Sequence, residues 1–250
     1  IYTKPLGYAG DYEMVNMILR NQPEGNNMYA KLVHSVTLSM DAAQAHRNRI
    51  DLLAKWLQEE ARRREESPER FKVLNVGCGP AAEIKKFIKQ EPLSDQSRID
   101  LIDFSEETLE YTREQIEEAM RAAGRHPSVN YIHKSVHELL KDTVRMRREA
   151  PKSEYDFVYC AGLFDYLTDK VTSRLLKLFS AWTDPGGLIV ATNVHPRNPG
   201  RYYMEHILEW NLIYRTEKDM IELAPDEHEH EVIADDTGVN IFLRTRISDQ

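Results

Sequence analysis

From Phe71 onward, short apolar runs alternate with longer stretches in which apolar positions recur every three or four residues. The short runs, at 72–76, 98–103, 129–133, 155–160 and 187–193, predict strands. The stretches between them, at 81–90, 105–123, 136–148 and 168–182, predict helices. Strands that are apolar throughout, rather than every second residue, belong to a parallel sheet covered on both faces. The tail breaks this rhythm. "EVIADDTGVNIFLRTRI" is two β-rich runs around Asp236-Thr237-Gly238, a hairpin signal that places an antiparallel edge on the sheet. Upstream, "EMVNMILRN" has helical spacing and is followed by the loop "QPEGNN". Residues 28–66 then read as two helices with a break near Ser39 to Asp41, closed by Ser67-Pro68. The expected architecture is α/β: a doubly wound, Rossmann-like, mostly parallel sheet with a C-terminal antiparallel hairpin. Residues 1–68 form a helical N-terminal cap or lid, and residues 69–250 form the sheet domain.

Composition narrows the class of function. Of 250 residues, 41% are apolar and 30% charged, an ordinary globular balance. The net charge of -8 argues against a nucleic-acid binder, which needs a clustered basic surface. The basic runs at 62–64 and 145–148 interleave with glutamates or close a helix, as solvated faces do. Two cysteines, Cys78 and Cys160, make no disulfide framework, so a reducing cytoplasm is the default compartment. No apolar stretch reaches the roughly 18 residues of a membrane span, and no signal-peptide pattern is present. The chain begins at Ile1 rather than at a methionine, which reads as a fragment or a processed form.

The first strand ends in "VLNVGCGPAAE", where Gly77 and Gly79 bracket Cys78 ahead of Pro80. In open parallel sheets, ligands sit beyond the carboxyl ends of the strands where strand order reverses. A backbone that turns here without side chains lets a ligand come close. The spacing G-x-G-x-x-A is weak evidence by itself, since a tight strand-to-helix turn needs the same residues. The next strand adds Asp103 at its tip, where an ionised carboxylate can accept hydrogen bonds from both hydroxyls of a ribose. The competing role for Asp103, capping the next helix, falls more naturally to Ser105.

"VLNVGCGPA", "LIDFSEETLEYTR", "YDFVYCAGLFDYLTD" and "DPGGLIVATN" resemble, in order, the successive motifs of class I S-adenosylmethionine-dependent methyltransferases. The resemblance spans residues 70–248, final hairpin included. It implies S-adenosylmethionine as cofactor and S-adenosylhomocysteine as product. It places Gly77, Cys78, Gly79 and Pro80 beside the methionine part, and Asp103 with Phe104 at the ribose. "IHKSVHEL" supplies Ser135 and Val136 beside the adenine, although the family often carries an aspartate where Ser135 stands. Cys160, Ala161 and Gly162, running on to Leu163, line the carboxylate and sulfonium region. A nicotinamide-dependent oxidoreductase shares the glycine spacing but fits less well. Pro80 follows the second glycine directly, the acidic residue lies further on than ~20 residues, and the end hairpin is unexplained. A cofactor-binding sensor or partner subunit without turnover is a further alternative.

The opening "KPLGYAGDYEMVNMI", together with "AHRNRIDLLAKWL" at 45–57, resembles a bacterial methyltransferase group that includes synthases of the 3-hydroxypalmitic acid methyl ester signal. From it comes a lid role for Tyr8, Gly10, Asp11 and Tyr12, closing over the cofactor and excluding water. The competing reading is a loop anchored by its tyrosines. The implied substrate is a small molecule, with a carboxylate or hydroxyl acceptor on a partly apolar body, such as a hydroxy fatty acid. Asp165 and Tyr166, past the fourth strand, and His195, past the fifth, are the candidates for handling a proton. Tyr202, Tyr203 and His206, in "RNPGRYYMEHILEWNLIYR", are candidates for an aromatic acceptor pocket, with Trp210 as helix packing. "DEHEHE" at 226–231 offers no third ligand to His228 and His230, and no metal site is assigned.

Overall fold

The computed structural model describes residues 10–146 and 153–248. Three helices come first among the described residues: α1 (Tyr12–Arg20), α2 (Met28–Leu38) and α3 (Asp41–Arg63). Five strands joined by four helices follow. They are β1 (Phe71–Val76), α4 (Ala82–Gln90), β2 (Ser97–Asp103), α5 (Glu106–Ala123), β3 (Ser128–His133), α6 (Val136–Met146), β4 (Tyr155–Cys160), α7 (Asp169–Trp182) and β5 (Thr183–Val194). Two short helices, α8 (Arg201–His206) and α9 (Glu217–Leu223), precede the hairpin β6 (Glu229–Ala234) and β7 (Asn240–Arg246).

The seven strands lie in one sheet in the order β3-β2-β1-β4-β5-β7-β6. The first five are parallel, and β7 runs antiparallel between β5 and β6. The doubly wound sheet with its antiparallel hairpin is therefore as expected. The order reverses between β1 and β4, which opens a crevice beyond their carboxyl ends.

Successive residues of the apolar strands point to opposite faces, so each strand feeds two cores. Val73, Ile99, Leu101, Phe157 and Val190 pack beneath α3, α4 and α5, with Leu53, Trp56, Leu57, Phe87 and Ile116. Leu74, Val76, Ile102, Val158, Ile189 and Leu243 pack on the other face against Leu175, Phe179 and Met220 of α7 and α9. Each such side chain, fully buried, stabilises the fold by about 1.5–3 kcal/mol. The helical N-terminal region shares this core. Trp56 of α3 sits edge-on to Phe242 of β7, and Glu60 pairs with Arg246 at 2.7 Å.

Most strand and helix starts fall within a residue of the expected ones, but the start of β5 differs by four. β5 starts at Thr183, not 187, because Thr183 pairs with Tyr155 before the register shifts and Leu188 takes up Phe157. Asp184-Pro185-Gly186 occupies the irregularity, as expected where proline removes a ladder donor.

Candidate functional site

A cavity of about 430 Å³ fills the crevice at the carboxyl ends of β1, β2, β4 and β5. Its floor is the turn from Gly77 to Glu83. One wall carries Asp103, Phe104 and Thr108, and another Ala161, Gly162, Leu163, Asp165 and Tyr166. Gly10, Tyr12 and Val15 from the start of α1 and His46, Arg49 and Ile50 from α3 cover it. Trp210 and Leu212, from the segment after α8, complete the lining.

The turn is built for close approach. Gly77 has φ +70°, and a Cβ there would stand 3.2 Å from the Leu163 side chain. Gly79 has φ +50° with nothing within 4 Å of a Cβ position, so the backbone angle, not crowding, calls for glycine. The Gly77 and Cys78 amides donate to the Ile102 carbonyl at 2.8 and 3.0 Å. Asp103 accepts from the Gly79 and Ser105 amides, both at 3.0 Å. Thr112 of α5 donates to the Gly79 carbonyl at 2.7 Å. The glycine loop is thus held from both sides by the neighbouring strand and helix. Burial pushes the Asp103 carboxyl up from its ordinary range, while these amide donors oppose the rise. Ser105 caps α5 through Thr108, which leaves Asp103 free of that task.

Five more titratable side chains shape the chemistry. Asp165 is buried, accepts from the Val194 amide at 2.7 Å, and is pushed up to about 6 by burial. The neighbouring Tyr166 hydroxyl accepts from the Trp210 indole at 2.7 Å. Glu83 accepts from the Tyr159 hydroxyl at 2.8 Å and from Asn75 at 3.1 Å, and burial raises its pKa. His46 is held neutral, at about 3, by burial and by Arg49, and its Nδ1 lies 2.9 Å from the Ala42 carbonyl. That bond places the proton on Nδ1 and leaves Nε2 as an acceptor. Arg49 is 5% exposed, and its guanidinium stands where a Cβ on Gly162 would meet it at 2.9 Å.

The structure brings most of the nominated residues together. Gly10, Tyr12, Gly77, Cys78, Gly79, Pro80, Asp103, Phe104, Ala161, Gly162, Asp165 and Tyr166 all line the cavity. Asp11 is instead the N-cap of α1, accepting from the Met14 amide at 2.8 Å, and so holds the covering helix in place. Tyr12 stacks on Tyr111 and donates to Glu107 at 3.3 Å, which ties the same helix to α5. Tyr8 lies outside the described residues.

The structure places the other nominated residues away from the cavity or at its edge. His195 does not face the cavity. It is 3% exposed, its Nδ1 accepts from the Arg197 amide at 2.9 Å, and its Nε2 meets Glu217 at 3.1 Å, so no lone pair is left for a substrate proton. Ser135 gives its hydroxyl and amide to Glu138, an N-terminal clasp on α6, and neither it nor Val136 lines the cavity. Cys160 is wholly buried in the core on the far face, where burial raises its thiol pKa, and only the residues after it reach the site. Tyr202 is 71% exposed and stacks on His206 at the surface, because α8 is a mere six residues and turns that face to solvent. Tyr203 bonds Thr37 at 3.0 Å and lines a separate small apolar cavity with Met14, Leu38 and Met204. Trp210, read as packing, lines both cavities. His228 meets Ser180 of α7, and His230 meets Thr245 of β7 and the Pro225 carbonyl.

Sequence reasoning missed His46, Arg49, Glu83 and Thr108. The signal lay in α3, where His46 and Arg49 fall one turn apart on the stripe that carries Leu53 and Leu57 into the core. Polar residues on a buried stripe mark an interior site.

Arg215 has a different task. It is 2% exposed and holds the Phe164 and Leu167 carbonyls, Asn193 and Asp169 at 2.6–3.0 Å. It fastens the segment before α9 to the loop after β4.

Residues 73–187 match the family model described as a methyltransferase domain. A malonyl-[acyl-carrier protein] O-methyltransferase of Halalkalibacterium halodurans is 29% identical over 136 residues, 54% of this chain and 43% of that protein. Malonyl-[acyl-carrier protein] O-methyltransferase 1 of Ilyobacter polytropus is 27% identical over 49% of this chain and 38% of its own length. The chain thus matches less than half the length of either relative. Among solved structures, a possible exported protein from Bordetella parapertussis superposes with a TM-score of 0.73 at 16% identity, over 99% of this chain and 84% of that one. Magnesium protoporphyrin IX methyltransferase of Synechocystis, with bound S-adenosylhomocysteine, superposes with a TM-score of 0.58 at 14% identity, over 93% of each chain.

Proposed function

Because the chain belongs to the class I S-adenosylmethionine-dependent methyltransferases, we propose that it transfers a methyl group from that cofactor to an oxygen of a small, partly apolar acceptor. The observation that carries this reading is the Gly77–Gly79 turn beside Asp103 at the strand-order reversal, opening into a cavity sized for a cofactor. The residues fit the group. Gly77 and Gly79 leave the floor bare, Asp103 offers a carboxylate to a ribose, and Phe104 and Thr108 stand beside it.

When bound, S-adenosylmethionine supplies an electrophilic methyl on a sulfonium, displaced directly by the acceptor oxygen. The protein's work is then alignment and exclusion of water. Tyr12 and Val15 from α1, with His46 and Ile50 from α3, cover the cavity. A carboxylate acceptor is already ionised at neutral pH and needs no base. For a hydroxyl acceptor, Asp165 is the side chain suited to accept the proton, since its pKa of about 6 leaves it ionised at pH 7 and more basic than an ordinary carboxylate. Tyr166, beside it, orients the acceptor. The malonyl-[acyl-carrier protein] relatives support a carboxylate acceptor, and the apolar lining by Trp210, Leu212 and Ile50 supports an acceptor such as a hydroxy fatty acid.

Calorimetric titration with S-adenosylhomocysteine, with NAD as control, tests the cofactor. Micromolar binding of the first and none of the second is expected, and binding of NAD alone would overturn the reading. Incubation with S-adenosylmethionine and a panel of carboxylic and hydroxy acids, followed by mass spectrometry, tests the acceptor. Tight cofactor binding with no methylated product would favour a sensor.

A further inference from the structure

Among the described residues two arginines are buried, and they are treated oppositely. Arg215 satisfies its guanidinium with five hydrogen bonds to two carbonyls, Asn193 and Asp169. Arg49 is buried to nearly the same extent and lines the cavity. Yet among the described residues nothing accepts a hydrogen bond from it, its Nε is fully enclosed without a partner, and no carboxylate lies within ion-pair distance. The two acids whose field reaches it, Asp165 and Glu83, are engaged elsewhere, with the Val194 amide and with Tyr159 and Asn75. An unpaired guanidinium out of water is costly, and the fold keeps it beside Gly162, where a side chain would collide with it.

We infer that Arg49 is the carboxylate-binding residue of this cavity, its planar fork set to take a two-oxygen anion presented from the ligand side. A guanidinium matches a carboxylate with two parallel hydrogen bonds, which a lysine cannot reproduce. The nearby acids select a singly charged guest, because a phosphate dianion would face Asp165 and Glu83. Within the methyl-transfer reading, on which this inference rests, two carboxylates qualify: that of the cofactor's amino-acid end and that of an acidic acceptor. Either makes Arg49 a binding residue that no motif of the glycine turn supplies.

The test compares parent, Arg49→Met and Arg49→Lys by calorimetry and thermal melting. The probes are S-adenosylhomocysteine, its decarboxylated analogue, and straight-chain carboxylic acids with their methyl esters. Without ligand, Arg49→Met is expected to melt at or above the parent temperature, since it removes an unpaired buried charge. If the cofactor is the source, Arg49→Met binds S-adenosylhomocysteine at least tenfold more weakly, while parent and variant bind the decarboxylated analogue alike. If the acceptor is the source, S-adenosylhomocysteine affinity is kept, and the variant loses binding of the acids that the parent's cofactor complex shows over their esters. Arg49→Lys keeps the charge without the fork and is expected to fall between. Unchanged affinity for both probes, or a ligand-free melting temperature several degrees below the parent's, would overturn the assignment. If the parent binds no S-adenosylhomocysteine, the methyl-transfer reading fails by itself, and the acids titrated alone decide Arg49. Acids bound equally by parent and Arg49→Met, or by neither, then count against it.

Discussion

Asp103 and Asp165 are both buried carboxylates, and they predict different experiments. Asp103→Ala removes the acceptor for ribose hydroxyls, each hydrogen bond to a charged group being worth about 1.5–3 kcal/mol. Affinity for S-adenosylhomocysteine is expected to fall roughly 10- to 150-fold by calorimetry. An unchanged constant would remove Asp103 from the site. For Asp165 the folded-state pKa is raised, to about 6. The favourable contribution is therefore fully present below the unfolded value, near 4, and is lost as pH rises through 6. Asp165→Asn keeps an acceptor for the Val194 amide without the charge. Its stability relative to the parent is expected to improve between pH 4 and pH 7.5, by on the order of 2–3 kcal/mol. Melting curves across that range check it, and a flat difference would mean that burial does not govern this group. That Asp103, Asp165 and the glycines line this cavity could be anticipated from sequence because each lies at or within a few residues of the end of a recognisable strand. His46 and Arg49 could not, because only the packing of α3 onto the sheet brings them there. His195 misled for the converse reason: it follows a strand, but the chain turns its ring toward Glu217.

At the scale of elements, α1 carries the testable claim. Its first turn covers the cavity, its N-cap is Asp11, and Tyr12 ties it to α5. Asp11→Ala is expected to cost about 1 kcal/mol of stability through the lost cap. If α1 is a lid, the same change weakens S-adenosylhomocysteine binding several-fold, and Tyr12→Ala does likewise. A stability loss with unchanged affinity would make α1 a strut. Helix and strand positions were readable within a few residues because periodicity and capping residues are local properties. The start of β5 was not, since pairing of Thr183 with Tyr155 across the irregularity depends on the neighbouring strand.

At the scale of the molecule, one ligand should be felt throughout, because the cavity is walled by residues spread along the chain from Gly10 to Leu212. S-adenosylhomocysteine at a hundred times its dissociation constant is expected to stabilise the fold by about 2.7 kcal/mol, read as a rise in melting temperature that NAD does not give. The doubly wound order followed from alternation of strand and helix, and the antiparallel edge from one turn signal. That α3 belongs to the same core as the sheet could not be read from composition, since its buried stripe resembles that of any amphipathic helix.

The segment between β5 and β6 contributes Trp210 and Leu212 to the cavity, and is thus where a change of acceptor would be sought by exchanging pieces between related enzymes. Arg215 makes that segment a poor cassette. Its bonds end on Phe164, Leu167 and Asp169, more than forty residues earlier in the chain. A graft carrying 196–224 alone would import a guanidinium with foreign partners or leave two carbonyls bare. Selectivity in this scaffold is inherited as two distant stretches at once, and a library that shuffles 163–169 together with 196–224 should yield folded members far more often than one that shuffles either.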